Sequence, residues 1–288
     1  KLEEDAVKSV GGEIAFTSDI TFSSSSLINE RIPLLSEDQK KFLNKLKSGF
    51  SFKKITEYID RLTKLRVLLV GEAIIDEYVF CDTIGKSGKE PVLVNQKIAT
   101  EKYSGGILTV ANQVSDFCKE GKILSYLGDR DDQNQFIKEN LKSNIDIDYV
   151  IKSNSPTILK TRFIDNYTKI KTLGVYDIND DLLNKYEEAE FCSKLEECIG
   201  DYDVFTVVDY GHGLITSKIV NILEEKSHYL NINAQLNSFN MGYHTISKYK
   251  NVNYVCVHEG ELRHDYRNRS DTVEHLIRGL SNRIKSDY

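Results

Sequence analysis

The chain has 288 residues, of which 40% are hydrophobic and 28% charged, and its formal net charge is −6. The length allows one large α/β domain or two small ones, and the composition is typical of soluble globular proteins. The negative charge argues against a nucleic-acid partner, and no apolar run approaches the roughly 20 residues of a membrane span. The five cysteines include no Cys-x-x-Cys pair, which argues against a zinc site or a disulfide framework and predicts a cytoplasmic location.

The N-terminal part of the chain lacks the regular pattern that follows it. Residues 1–30 contain the serine cluster Ser23–Ser26 directly before Leu27. Such a cluster could cap a helix, or its hydroxyls could meet a phosphate at a helix N-terminus. Residues 37–64 place apolar side chains at helical spacing, which predicts helices in this segment.

From residue 67 onward, strand patterns alternate with helix patterns. The predicted strands are Val67–Val70, Lys122–Leu127, Val204–Val208, Tyr229–Asn233 and Val252–Val257. The predicted helices are Ile107–Glu120, Gln133–Ser143, Asn184–Ile199, Ser217–Ser227 and Val273–Ser286. This alternation predicts an α/β fold with a mostly parallel central sheet flanked by helices. Ligands of such sheets bind beyond the carboxyl ends of the strands.

Two β-like segments, 92–99 and 157–164, interrupt the alternation where helices would be expected. We expect them to form a small β-lid over the sheet edge, because such lids exclude water and order a substrate. Lys160 and Arg162 alternate on one face of the second segment, where two cations could clamp a substrate phosphate. A solvated, charged edge strand is the alternative explanation.

Four residues near the first strand predict a sugar-binding floor. Asp76 follows that strand, and Gly105 and Gly106 open a helix that carries Asn112. A carboxylate can accept hydrogen bonds from neighbouring sugar hydroxyls, and glycines at a helix start let a ligand approach free backbone N–H groups. The alternatives are a surface aspartate, a tight turn and a helix-packing amide.

Polar residues also follow the later strands. Asp209 begins the sequence Asp-Tyr-Gly-His-Gly, which indicates either a substrate-binding loop or an ordinary strand-to-helix turn. His212 in this loop is a candidate general base, but no Ser or Cys nucleophile context accompanies it. Asn233 and Glu261 are predicted to end the next two strands, where they could organise the waters of Mg²⁺ bound to ATP. A surface turn is the alternative for both.

Five segments occur in the order seen in the ribokinase-like (PfkB) carbohydrate kinases. They are Val70–Asp76, Ser104–Asn112, Gly128-Asp129, Pro156–Arg162 and Val208–Gly213. Within that family, residues 65–285 most resemble the kinase half of the bifunctional heptose-7-phosphate kinase and heptose-1-phosphate adenylyltransferase. The serine cluster resembles the helix start near the end of small nucleotidyltransferase domains.

The resemblance implies ATP- and Mg²⁺-dependent phosphorylation of a sugar or sugar phosphate, of the heptose-phosphate type. It places the sugar on Asp76, Gly105, Gly106 and Asn112, with Lys160 and Arg162 near the substrate. Asn233 and Glu261 would lie towards the nucleotide phosphates, with Glu261 as the metal-side residue. Relatives often dimerise through the lid, so a homodimer is expected.

The chain also departs from the family pattern. It lacks the Gly-Ala-Gly-Asp motif that carries the general base, so no catalytic base is assigned, and His258 stands where the family has Asn. The expected domains are therefore a nucleotidyltransferase-like tail over 1–30, a helical linker over 31–64, and a kinase domain over 65–288 that lacks its C-terminal nucleotide-binding part. The alternatives are an inactive sugar-binding or scaffolding domain and a nucleotidyltransferase with a regulatory kinase-like part.

Overall fold

The computed structural model describes residues 2–14, 35–130 and 133–286. The chain divides into two compact units, Lys1–Thr56 and Glu57–Tyr288. The serine cluster and most of the predicted nucleotidyltransferase-like tail lie outside the described residues. The domain boundaries expected at residues 30 and 64 therefore stay predictions.

Helices make up the regular structure described in the smaller unit. They are α1 (Leu2–Ser9), α2 (Glu37–Gly49) and the first residues of α3 (Phe52–Leu62). A capping box begins α2, in which the side chains of Ser36 and Gln39 each accept from the other residue's backbone N–H group. Neither α2 nor α3 contains a buried residue. The helical prediction for 37–64 is thus confirmed as two helices rather than one.

The larger unit contains the strands and the remaining helices. Its strands are β1 (Arg66–Gly71), β2 (Ala73–Lys86), β3 (Leu93–Gly105), β4 (Glu120–Gly128), β5 (Ile145–Lys152), β6 (Ile158–Asp165), β7 (Lys171–Asp177), β8 (Val204–Asp209), β9 (Leu230–Ala234) and β10 (Tyr254–Cys256). Its helices after α3 are α4 (Gly106–Val114), α5 (Asn134–Asn140), α6 (Lys185–Cys198), α7 (Ser217–Lys226), α8 (Glu259–Tyr266) and α9 (Val273–Ile284).

Six strands form one central sheet in the order β10-β9-β8-β1-β4-β5, and each neighbouring pair is parallel. Strand β1 lies inside this sheet, and its side chains alternate between two apolar clusters. Leu68 and Val70 belong to one cluster, whereas Val67 and Leu69 belong to the other. Both faces of the sheet are therefore covered, as the unbroken apolar run of β1 predicts.

The other four strands form the lid, in the order β3-β2-β6-β7. Strands β2 and β6 pair in parallel, and the two outer pairs are antiparallel. The lid prediction from segments 92–99 and 157–164 is confirmed, but the sequence did not predict β2, β5 or β7. Asp76 consequently lies within the lid strand β2, not in a loop at the end of β1.

The predicted boundaries need two further corrections. Helix α4 ends at Val114 and continues only as a 3₁₀ turn over Ser115–Phe117, so the helix predicted to Glu120 is too long. Strand β10 has three residues, and Glu261 lies in the first turn of α8 rather than at a strand end. Among the described residues, no helix has the length and apolar character needed to cross a membrane.

Candidate functional site

A cleft of about 420 Å³ opens between the lid and the carboxyl ends of the central strands. The lid and the adjoining start of α4 contribute one side, and the loops after β8 and β9 contribute the other. The lining residues are Ile74, Asp76, Gly106, Lys160, Arg162, Tyr176, Tyr210, Gln235, Leu236, Asn237 and Ser238. The structure thus brings together four of the predicted site residues at the edge where parallel sheets bind ligands.

One carboxylate and two cations meet on the lid face of this cleft. Asp76 on β2 lies opposite Lys160 on β6, and it forms a hydrogen-bonded ion pair with Arg162. Burial alone would lower the pKa of the Arg162 guanidinium, but the bond to Asp76 raises it overall. The ring of Tyr176 lies 5.9 Å from Lys160 Nζ and 5.6 Å from Arg162 Cζ, so its face stabilises both cations.

The two glycines place the helix start directly against Asp76. A Cβ atom at Gly105 would lie 2.5 Å from Asp76 Oδ2, and one at Gly106 would lie 2.5 Å from the carbonyl oxygen of Glu72. Gly106 also has φ +55°, a conformation that glycine adopts readily. A side chain at either position would displace a neighbouring group, so the two glycines suit this approach of α4 to the lid strand, as the predicted sugar-binding floor requires.

A buried glutamate holds the loop after β8. Glu72 is fully buried, and its two carboxylate oxygens accept hydrogen bonds from the backbone N–H groups of Tyr210 and His212, both at 3.0 Å. Burial, and then the nearby Asp209, raises the pKa of Glu72 to about 7. This clamp places the Tyr210 ring in the cleft and fixes the backbone of the loop.

The imidazole of His212 is also fully buried beside the cleft. Its Nδ1 lies 2.7 Å from Asp180 Oδ1, and its Nε2 lies 3.2 Å from Lys160 Nζ. Burial, followed by the charge of Lys160, lowers the pKa of His212, although Asp180 opposes this shift. The ring is therefore neutral near pH 7.

Asp209 does not line the cleft, which corrects its predicted role in substrate binding. Its carboxylate is fully buried and accepts hydrogen bonds from Tyr249 Oη at 2.6 Å and the Gly211 N–H at 3.1 Å. Lys248 Nζ lies 2.5 Å away. These partners occupy the carboxylate, so Asp209 fixes the loop from inside the protein.

Asn112 is likewise displaced from the predicted site. Its amide nitrogen donates to the carbonyl oxygen of Asn140 at 2.8 Å, and its amide oxygen accepts from the Lys142 N–H at 3.1 Å. Asn112 therefore joins α4 to the end of α5 and to the segment that follows it. The alternative of a helix-packing amide is the correct one.

Asn233 and Glu261 are both engaged by backbone groups. Asn233 donates to the carbonyl oxygen of Cys256 at 2.8 Å. The two oxygens of Glu261 accept from Leu236 N–H at 3.0 Å and from His258 N–H at 2.7 Å, the latter as part of a capping box. No group of three or more metal-ligating side chains occurs in the described part of the chain. The geometry therefore does not fit a Mg²⁺ site at Glu261, and we assign no residue to the metal.

Sequence reasoning missed several residues that build the cleft. Glu72 stands in the recognised Val-Gly-Glu segment, but a buried carboxyl cannot be told from a surface one in a single sequence. Tyr176 lies on the unpredicted strand β7, and Asp180 lies in the connection that follows it. The alternation of Lys160 and Arg162 was the available signal for a cationic face.

The chain is similar in sequence to curated bacterial proteins named Bifunctional protein HldE. It is 25% identical to the protein from Campylobacter jejuni over 225 residues, which cover 78% of this chain and 46% of that protein. It is 28% identical to the protein from Pasteurella multocida over 160 residues, which cover 55% of this chain and 33% of that protein. The chain spans about half the length of the first of these relatives. No family model matches the chain.

Solved structures share its fold at low sequence identity. Phosphofructokinase-2 from Escherichia coli superposes with a TM-score of 0.55 at 12% identity, covering 77% of this chain and 71% of that one. A protein from Agrobacterium tumefaciens described as a ribokinase superposes with a TM-score of 0.52 at 16% identity, covering 76% of this chain and 67% of that one. The resemblance of the kinase part and the fold class predicted from the sequence are confirmed: the chain has the α/β fold of the ribokinase-like carbohydrate kinases and is similar in sequence to the HldE proteins.

Proposed function

We propose that this chain binds the acceptor sugar of an ATP-dependent carbohydrate kinase, and that the acceptor is a sugar phosphate. The observation that carries the proposal is the meeting of Asp76, the glycine-opened start of α4, Lys160 and Arg162 in one cleft. A carboxylate and free backbone N–H groups suit sugar hydroxyls, whereas the two cations suit a phosphate. The HldE relatives support a heptose-phosphate-like acceptor in a bifunctional kinase and nucleotidyltransferase of nucleotide-sugar synthesis.

The balance of charge in the cleft favours a phosphorylated acceptor over a neutral one. Lys160 and Arg162 are cations, and Asp76 is the carboxylate among the lining residues. A neutral sugar would leave a net positive charge in a partly enclosed site, where charges interact more strongly than in water. A phosphate group would neutralise that charge, and Arg162 could contact it through the guanidinium N–H groups not used by Asp76.

The donor is proposed to be ATP with Mg²⁺, as expected of a carbohydrate kinase. A bound metal would neutralise the phosphate charge that phosphoryl transfer redistributes. The described residues of this chain would orient the acceptor: Asp76 would fix hydroxyl groups, Lys160 and Arg162 would hold the phosphate, and the lid would exclude water. No general base is assigned, because Asp76, the carboxylate among the lining residues, is held in an ion pair with Arg162.

Ligand binding tests the proposal directly. Hexose 6-phosphates and heptose 7-phosphates, each beside its unphosphorylated sugar, would be titrated by calorimetry with and without ATP and Mg²⁺. We expect at least one sugar phosphate to bind more tightly than its neutral counterpart and to raise the thermal midpoint of unfolding. Equal affinity for every pair, or no binding at all, would reject a sugar-phosphate site.

A non-catalytic sugar-binding or scaffolding domain is the second candidate. It is favoured by the backbone contacts that engage both Asn233 and Glu261, the two residues predicted to face the nucleotide. Sugar-dependent ATP turnover measured by a coupled assay distinguishes the two candidates. Turnover would reject the scaffold, whereas sugar binding without turnover would support it.

We also propose that a cytoplasmic homodimer forms through the lid. Large apolar side chains are exposed on three of its four strands, where a partner would cover them. They are Ile84, Leu93, Val94, Ile98, Tyr103, Leu173 and Val175. Light scattering coupled to size exclusion should give twice the mass of one chain. Leu93→Asp should lower the measured mass to that of one chain.

A further inference from the structure

His212 connects the lid to the body of the larger unit through two side-chain contacts. Its ring Nε2 meets Lys160 on the lid strand β6 at 3.2 Å, and its Nδ1 meets Asp180 at 2.7 Å in the segment that returns from the lid. His212 itself belongs to the loop after β8, in the central sheet. One buried imidazole therefore contacts both the strand that carries a cleft cation and the chain that leaves the lid.

The donors and acceptors around the ring determine its tautomer. A lysine ammonium has three donors and no acceptor, so Nε2 must accept from Lys160. The proton of the neutral ring then resides on Nδ1, which donates to the carboxylate of Asp180. Asp180 thus orients His212, and His212 in turn accepts a hydrogen bond from one N–H of the Lys160 ammonium, which leaves the other two N–H groups for the cleft.

The backbone of His212 is held as tightly as its ring. Glu72 accepts a hydrogen bond from the N–H of His212 at 3.0 Å. The carbonyl oxygen of His212 accepts from Tyr126 Oη at 3.1 Å and from Lys152 Nζ at 3.4 Å. Together with Lys160 and Asp180, these are the charged and titratable groups that face His212 from the neighbouring elements. Because the ring is also fully buried and contacts Asp180 through Nδ1, it has little freedom to rotate away from Lys160.

We infer that His212 is a positioning residue that aims the Lys160 ammonium at an anionic group of the acceptor. The inference rests on the proposed function, because it requires an anion in the cleft. It assigns to His212 neither proton transfer nor direct contact with the substrate. The role differs from that of a general base, in which Nε2 would have to face a substrate hydroxyl rather than a lysine.

Two substitutions separate positioning from a general loss of structure. In His212→Gln the amide reaches the place of Nε2 and can still accept from Lys160. In His212→Asn the shorter side chain reaches only the place of Nδ1, so it keeps the contact with Asp180 but not the one with Lys160. The ligands are fructose 6-phosphate and fructose, titrated by calorimetry against each variant and the unchanged chain.

We expect His212→Asn to weaken fructose 6-phosphate binding by roughly tenfold, as for one lost bond to a charged group, and to leave fructose binding within twofold. His212→Gln should restore most of the lost affinity. Equal loss for both ligands, or no rescue by Gln, would overturn the inference and leave the proposed function standing. If the unchanged chain prefers none of the hexose or heptose phosphates over the corresponding neutral sugar, the proposed acceptor fails and the inference with it.

Nitrogen-15 NMR of the imidazole provides a test that needs no ligand. We expect the neutral Nδ1–H tautomer of His212 near pH 7, and we expect Lys160→Met to raise the pKa of His212 because it removes a neighbouring positive charge. Lys97→Met, on the exposed face of β3, is the control and should leave that pKa unchanged. An Nε2–H tautomer would contradict the acceptor role toward Lys160.

Discussion

Arg162 pairs with Asp76 across the two adjacent lid strands, one diagonal step away from direct register. In the direct register Asp76 lies opposite Lys160, so the two cations approach the same carboxylate from neighbouring positions on β6. Asp76 Oδ1 accepts from Arg162, whereas Oδ2 lies against Gly105. A bound sugar would therefore meet a carboxylate that is already oriented, which lowers the entropic cost of binding.

The first prediction concerns the carboxylate itself. Asp76→Asn should weaken sugar-phosphate binding by more than about tenfold, because it removes a charge-assisted acceptor and leaves Arg162 without a charged partner. Calorimetric titration measures the change. Asp82→Asn, on the exposed end of the same strand, is the matched control and should bind as the unchanged chain does. An affinity of Asp76→Asn within twofold of the unchanged chain would remove Asp76 from the site.

The second prediction concerns the close approach of α4 to the lid. Gly105 has φ −121°, so alanine would fit the backbone, but its Cβ would lie 2.5 Å from Asp76 Oδ2. We expect Gly105→Ala to displace Asp76, to cost about 1–3 kcal/mol of unfolding free energy, and to lower sugar affinity. Gly88→Ala adds a methyl group with no neighbour within 4 Å and should change neither quantity. Denaturant unfolding and calorimetry measure the two effects.

A strand could be predicted where the burial of its side chains leaves an apolar pattern in the sequence. The apolar run of β1 predicted a strand covered on both faces, because both its odd-numbered and its even-numbered residues are apolar. The charged, exposed strand β3 was found only in part, since eleven of its positions face solvent and carry no periodic apolar signal. Strand β2 was missed because Asp76 and Glu77 interrupt its apolar pattern, although in the structure they pair with Arg162 and Lys102.

The site was predictable where local chemistry decides and unpredictable where tertiary contacts decide. Gly105 and Gly106 lie at a helix start, as predicted, because a pair of glycines before an apolar run is visible in the sequence. Asn112 and Asp209 were wrong because their partners lie 28 and 40 residues away in sequence, at Asn140 and Tyr249. A single sequence does not show that such long-range hydrogen bonds have already occupied a polar side chain.

The third prediction concerns pH and Glu72. Because the pKa of Glu72 is raised from 4.5 to about 7, this group contributes stability that is fully present below pH 4.5 and is lost as pH rises through about 7. The loss amounts to roughly 3 kcal/mol, since each pKa unit corresponds to about 1.4 kcal/mol. His212 acts in the opposite direction, because its lowered pKa removes stability as pH falls below 6.5.

A comparison with Glu72→Gln isolates the glutamate from the histidine. The variant should be less stable at every pH, because one of the two backbone N–H groups would face an amide nitrogen. The difference in unfolding free energy between the unchanged chain and the variant should shrink as pH rises from 5 to 8. Glu225→Gln, at an exposed position on α7, is the matched control for the substitution. A constant difference for Glu72→Gln would mean that its carboxyl is ionised throughout this range.

The fourth prediction tests whether Asp209 supports the structure rather than binding substrate. Tyr249→Phe removes the hydroxyl that donates to Asp209 Oδ2 at 2.6 Å and leaves a fully buried carboxylate with one partner fewer. We expect the free energy of unfolding to fall by about 1–3 kcal/mol while sugar-phosphate affinity stays within twofold, because Asp209 does not line the cleft. Tyr243→Phe, at a side chain that is 93% exposed, should alter neither quantity. A tenfold loss of affinity in Tyr249→Phe without a loss of stability would return Asp209 to the binding site.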